Sequence, residues 1–149
     1  MSQDRLDIII DELEIPINPE FDNILNLKEF GNLPPEVTDI LETNDPDKYY
    51  LRYGAIGDGN CLYHTILNLI DDNYLRESRG NKKRICNHFK QYLAANVTMH
   101  DYKHLDLIEQ YPPALQNYKE HLQNREWGTD EDIIYISSIL NINIFLFQH

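Results

Sequence analysis

The chain has 149 residues, of which 42% are hydrophobic and 26% charged, with a formal net charge of −12. That length can bury a core of its own and the balance is that of a globular protein, while the excess of acid argues against nucleic acid as a partner. No apolar run reaches the ~20 residues needed to span a bilayer, so no membrane association is expected.

The acid is unevenly spread. Residues 1–48 carry 13 acidic and 3 basic side chains, a net of −10, and residues 49–149 carry 12 and 10, a net of −2. The first stretch reads as an acidic helical extension, solvated or suited to a basic protein face. Leu6, Ile9, Ile10 and Leu13 recur at helical spacing, predicting a short amphipathic helix over 4–13 that Pro16 and Pro19 end. A second short helix is expected after Pro34-Pro35, carrying Val37, Ile40 and Leu41. Residues 49–56 read as extended. A helix over 61–69 should turn Leu62, Ile66, Leu69 and Ile70 to the core, and 71–83 reads as a polar loop with a solvated basic cluster at 79–84.

Ile85, Phe89, Leu93 and Val97 form a helical stripe with Cys86 beside it, so Cys86 reads as an inert core thiol. Pro112-Pro113 opens a helix holding Leu115, Tyr118 and Leu122. Thr129 with Asp132 three later resembles a capping box for a helix that buries Ile133, Ile136, Ile139 and Leu140 and closes at Asn141. Residues 142–147 are β-prone and read as a buried central strand, or as an exposed docking edge if a partner strand is lacking.

The chemistry concentrates at Asp58-Gly59-Asn60-Cys61-Leu62-Tyr63-His64. Cys61 alone would read as a small buried hydrophobe. Its setting points elsewhere, because a glycine-containing turn that feeds a helix aims backbone N–H groups and the helix dipole at the thiol. Such amides favour a thiolate and can hold an oxyanion. Gly59, Asn60 and Cys61 supply the candidate amides. Asp58 would raise the thiol pKa if it faced sulfur, so it is expected to point away and organise the loop.

This stretch resembles the Asp-Gly-Asn-Cys signature of the ovarian-tumour (OTU) family of cysteine proteases, most of which remove ubiquitin. A second resemblance lies at Trp127-Gly128, with Glu131 four residues after the tryptophan, then a helical apolar pattern and a strand. The likeness spans residues 50–147 and leaves 1–48 uncovered. It implies an α+β fold with a small central sheet flanked by helices, occupying 49–149. It implies hydrolysis of an isopeptide or peptide bond after a ubiquitin-like C-terminus, with Cys61 as nucleophile, Asp58 shaping the site, and ubiquitin or a ubiquitin-like protein as partner. No cofactor or metal is implied.

The family's catalytic histidine stands beyond a hairpin after that strand, and no histidine of this sequence occupies that position. Three expectations stay open: a piece of a longer protein truncated at its C-terminus, an inactive relative, or substitution by another histidine. His64 reads as structural or substrate-facing, His88 as solvated, His121 as a surface residue, and His149 as terminal. His100 and His104 have a helical metal spacing without supporting ligands. A non-catalytic ubiquitin-binding module and a structural virion protein are the alternative functions. The two cysteines are far apart and suit a reducing compartment, and Met1-Ser2-Gln3-Asp4 does not begin a signal peptide, so a cytoplasmic location is expected. The lean towards Ile, Asn and Tyr hints at an AT-rich, viral genome, which would make that location the host cytoplasm.

Overall fold

The computed structural model describes residues 17–18, 30–44, 47, 50–104, 115–124 and 127–146, with backbone alone at 17, 18 and 104. Most of these residues are helical, and a small sheet completes an α+β architecture. In chain order the elements are β1 (Ile17–Asn18), β2 (Phe30–Gly31), α1 (Pro35–Asn44), β3 (Arg52–Tyr53), α2 (Cys61–Ile70), α3 (Asp72–Arg76), α4 (Arg79–Asn96), α5 (Met99–His104), α6 (Leu115–Gln123) and α7 (Asp130–Leu140). They group into two units. One reaches to Ile56 and includes Thr65–Ser78; the other is built from Gly57–His64 and the residues from Arg79 on.

In the first unit β2 pairs in parallel with β1 and antiparallel with β3, in the register Phe30↔Tyr53 and Gly31↔Arg52. The rings of Phe30 and Tyr53 meet across that register with centroids 4.7 Å apart, as directly opposed side chains on one sheet face do. Arg52 Nε donates to the Asn32 carbonyl at 2.7 Å, extending the two-residue ladder. Pro35 occupies the first position of α1, where its missing N–H costs nothing, and Pro34 O accepts from Val37 and Thr38 N–H at 3.0 Å. No residue of α1 is buried.

Two expectations are corrected in this unit. Residues 71–83 are not a loop: Asp71 caps α3 by accepting from Asn73 N–H at 3.0 Å, and Tyr74 and Leu75 are buried. That helix is too short to show a period, which hid it. In α2, Ile66, Leu67 and Asn68 are buried while Leu69 and Ile70 face solvent, 68% and 44% exposed. The expected helix over 4–13 lies outside the described residues.

In the second unit α4 buries Lys82, Cys86, Phe89, Lys90, Leu93 and Ala94, a stripe at helical period, and packs on α6. The basic cluster at 79–84 is therefore not wholly solvated, since Lys82 is buried. Tyr118 and Leu122 of α6 are fully buried, as are Tyr135 and Ile136 of α7. Tyr135 donates its hydroxyl to the Leu93 carbonyl at 2.8 Å. Burial pushes its phenol pKa well up, which keeps that donor protonated. The capping box at Thr129 and Asp132 is present, and Asn141 ends α7 in the left-handed conformation at φ 51°. Pro112-Pro113 lies outside the described residues.

Residues 142–146 form no strand. Their side chains alternate at first, Ile142 and Ile144 half-buried and Asn143 and Phe145 exposed, but a strand needs a ladder partner and none pairs with them among the described residues. Ile142 is instead tied back to α7, its N–H donating to Ser137 O and its carbonyl accepting from Ser137 Oγ. Phe145 and Leu146 are 77% and 58% exposed.

Candidate active site

Cys61 is the first residue of α2, so the preceding turn sets its position. Gly59 takes φ 86°, a left-handed conformation that only glycine adopts without strain. Asp58 Oδ1 accepts from Asn60 N–H at 3.1 Å, the self-bonding turn that aspartate favours. Asn60 O accepts from His64 N–H at 3.0 Å, which makes Asn60 the N-cap. Asp58, Gly59 and Cys61 are half-buried, and Asn60 is buried. All four residues expected at the site thus lie in one turn of chain at a helix N-terminus, where amides and dipole favour negative charge.

The Asp58 carboxylate faces His64 and Lys83. His64 Nε2 lies 3.2 and 3.4 Å from its two oxygens, and Lys83 Nζ lies 3.8 Å away. His64 is 1% exposed. Burial lowers its pKa and outweighs the attraction of Asp58, so at neutral pH a neutral imidazole donates Nε2–H to the carboxylate.

A cation grips the same turn from inside. Lys90 Nζ donates to Asn60 Oδ1 at 2.7 Å and to the Asn124 carbonyl, and it sits 4.7 Å from the centre of the Tyr63 ring. Lys90 is 2% exposed. Its aliphatic stem follows the α4 stripe at the i+4 position from Cys86, a spacing that leaves the ammonium at the turn.

The two resembling blocks are in physical contact. A Cβ placed on Gly128 would clash with Leu62 Cδ2 and lie 3.1 Å from Leu62 Cβ, so any larger residue there would have to displace the Leu62 side chain. Tyr63 donates its hydroxyl to Asp132 Oδ2 at 3.3 Å. Asp132, fully buried, also accepts from Tyr118 Oη at 2.8 Å, His121 Nε2 at 2.9 Å and Thr129 N–H at 2.8 Å. Burial works to raise its pKa, but the hydrogen bonds from His121, Thr129 and Tyr118 prevail and hold it below the ordinary carboxylate range.

His121 is therefore not a surface residue but 6% exposed and bonded to a buried acid. The signal was its spacing: Tyr118, His121 and Leu122 lie at i, i+3 and i+4. Lys90 carried a similar signal, one position from Phe89 on the α4 stripe. The His121–Asp132 pair is not poised against the thiol. Tyr63, which reaches Asp132, stands about 200° round α2 from Cys61 at ~100° per residue, so the knot lies against the other side of that helix. Trp127, beside Gly128, is 76% exposed.

Of the remaining groups, Cys86 is 1% exposed and burial pushes its thiol up to about 12, which leaves it protonated and unreactive. His88 and His100 are exposed. No group of His, Cys, Asp or Glu among the described residues could hold a metal ion. Among the described residues no helix is long and apolar enough to cross a membrane. Comparison with family models, with curated proteins and with solved structures returns no match.

Proposed function

We propose that the protein is a cysteine-dependent deubiquitinase of the ovarian-tumour type. Cys61 is the nucleophile. Its thiolate attacks the carbonyl carbon at the C-terminus of ubiquitin or a ubiquitin-like protein. The amides around Gly59, Asn60 and Cys61 hold the tetrahedral oxyanion, the amine leaves as it takes up a proton, and water hydrolyses the thioester. Asp58 acts on the turn, through Asn60 N–H and His64, rather than on sulfur. The resemblance calls for a histidine as general base and acid, and neither His64 nor His121, each bonded to a carboxylate, is assigned that role. The observation that carries the reading is the contact between the two blocks that resemble the family: Gly128 lies against Leu62, and Asp132 accepts from Tyr63. A fluorogenic ubiquitin substrate tests it. Turnover that disappears in Cys61→Ala is expected; equal turnover in both proteins would refute it.

A second reading is ubiquitin binding without hydrolysis. The commitment of both buried histidines to carboxylates, His64 to Asp58 and His121 to Asp132, favours it. Ubiquitin binding that Cys61→Ala leaves intact, with no turnover by the unmodified chain, would select this reading over the first.

A further inference from the structure

Lys90 stands out among the buried groups that the proposed chemistry does not use. An ammonium withdrawn from water is costly unless its donors are satisfied. An apolar residue of similar volume at the same place on the α4 stripe would avoid that cost. What Lys90 touches is specific: the side chain of the residue before Cys61, the ring of Tyr63 two residues after it, and a backbone carbonyl at Asn124.

Asn60 is consequently held at three points. Its N–H is bound by Asp58, its carbonyl by the first turn of α2, and its side-chain oxygen by Lys90. The first two bonds are local, within four residues, and would survive a rotation of the whole turn about the helix end. The third comes from 30 residues away and fixes the turn against α4. The same ammonium over the Tyr63 ring adds a contact to the first turn of α2.

We infer that Lys90 is the positioning residue of the Cys61 turn, a buried cation that orients Asn60 and with it the thiol and the adjacent amides. The inference rests on the reading of Cys61 as the nucleophile, and it adds a residue that belongs to neither resembling block. The role is positional: Lys90 acts through Asn60 and touches no substrate.

The test uses iodoacetamide, a small electrophile that needs no ubiquitin, on the full chain. The rate of carbamidomethylation at Cys61, in which the thiolate displaces iodide, is followed by peptide mass from pH 6 to 9. Cys86, buried and protonated, serves as the silent internal reference. Lys90→Met keeps the length and apolar stem and removes the charge; replacing a buried charge by an apolar residue of similar volume is often neutral for folding. Lys90→Met is expected to slow Cys61 labelling at pH 7 by about tenfold and to move its pH profile, with the far-UV spectrum unchanged. Lys90→Arg should restore most of the rate. The double variant Lys90→Met/Asn60→Leu removes both partners, so neither is left buried without the other. It should melt no lower than Lys90→Met, the loss at the Asn124 carbonyl being common to both, and still label slowly, which a purely stabilising role for Lys90 does not produce. Should Lys90→Met fail to fold, Asn60→Leu alone interrogates the same contact, with the same slow labelling expected. Folded variants that label at the parental rate with the parental pH profile would overturn the inference. Those outcomes are independent of the ubiquitin substrate assay, whose failure would remove the protease reading and leave the Lys90 result standing as a statement about the turn.

Discussion

Two histidine–carboxylate pairs lie in the second unit, and they resolve the same conflict in opposite directions. At Asp132 the acid is fully buried, yet four donors from Tyr63, Tyr118, His121 and Thr129 hold it ionised below its ordinary range. At His64 burial prevails over one shared carboxylate, and the ring stays neutral. Burial at His64 is reinforced by the nearby charges of Lys82 and Lys83, whereas at Asp132 the donors work against burial. Asp58 divides its oxygens among His64, Asn60 N–H and Lys83 and remains partly in solvent, so it cannot hold an imidazolium against desolvation. The Asp132 knot is the fixed part of the unit, and the Asp58 turn is the part that presents the thiol.

The largest effect should come from breaking the knot. Asp132→Asn leaves several buried donors facing an amide and is expected to cost about 3 kcal/mol in urea unfolding, the low end for loss of one partner from a buried charged network. Because the native Asp132 is held down, the unfolded chain takes up protons first as the pH falls below about 3.9. The contribution is complete above that value and is lost as the pH falls through the lower native value. Unfolding free energy measured between about pH 5 and pH 2 should therefore fall less steeply in Asp132→Asn than in the parent. Parallel curves would contradict the comparison.

A smaller loss is expected at the contact between the blocks. Gly128→Val drives a side chain into Leu62 and should cost about 2 kcal/mol, as overpacking does; it should also slow Cys61 labelling, since Leu62 is the next residue. A Gly128→Val protein with parental stability would show that the contact is loose. Gly59→Ala should cost about 1 kcal/mol from the left-handed conformation alone, read as a shift in the denaturation midpoint with unchanged slope.

The smallest effect is a slope. His64 has its pKa lowered, so as the pH falls below about 6.5 the unfolded chain binds a proton that the native ring resists, and stability declines. Its contribution is complete above that value. His64→Gln should flatten the stability curve just below about pH 6.5 and leave it unchanged at pH 8. A decline that persists in the variant would assign the slope to other groups.

Local chemistry made much of this legible in the sequence. Pro35, the Thr129–Asp132 box and Asn141 each fix a helix end through bonds within a few residues, and the structure has all three ends in place. The Asp58–Cys61 turn was equally local. What escaped were polar residues on apolar stripes. His121, Lys82 and Lys90 occupy buried helical positions, and for His121 and Lys90 partners on other elements explain how they can. The phase of α2 misled for a related reason: besides Ile66, its buried positions are Asn60, Tyr63, His64, Leu67 and Asn68, at i, i+3, i+4, i+7 and i+8, and three of these five are polar. Residues 142–146 have β propensity, but propensity supplies no ladder partner.

The most direct measurement is reaction of the full chain with ubiquitin bearing a C-terminal electrophile, followed by intact and peptide mass. The expected result is a single adduct of one ubiquitin on Cys61, absent in Cys61→Ala and absent when the chain is denatured first. A chain that is folded, whose Cys61 reacts with iodoacetamide, and that forms no ubiquitin adduct would contradict the assignment of Cys61 as a deubiquitinase nucleophile.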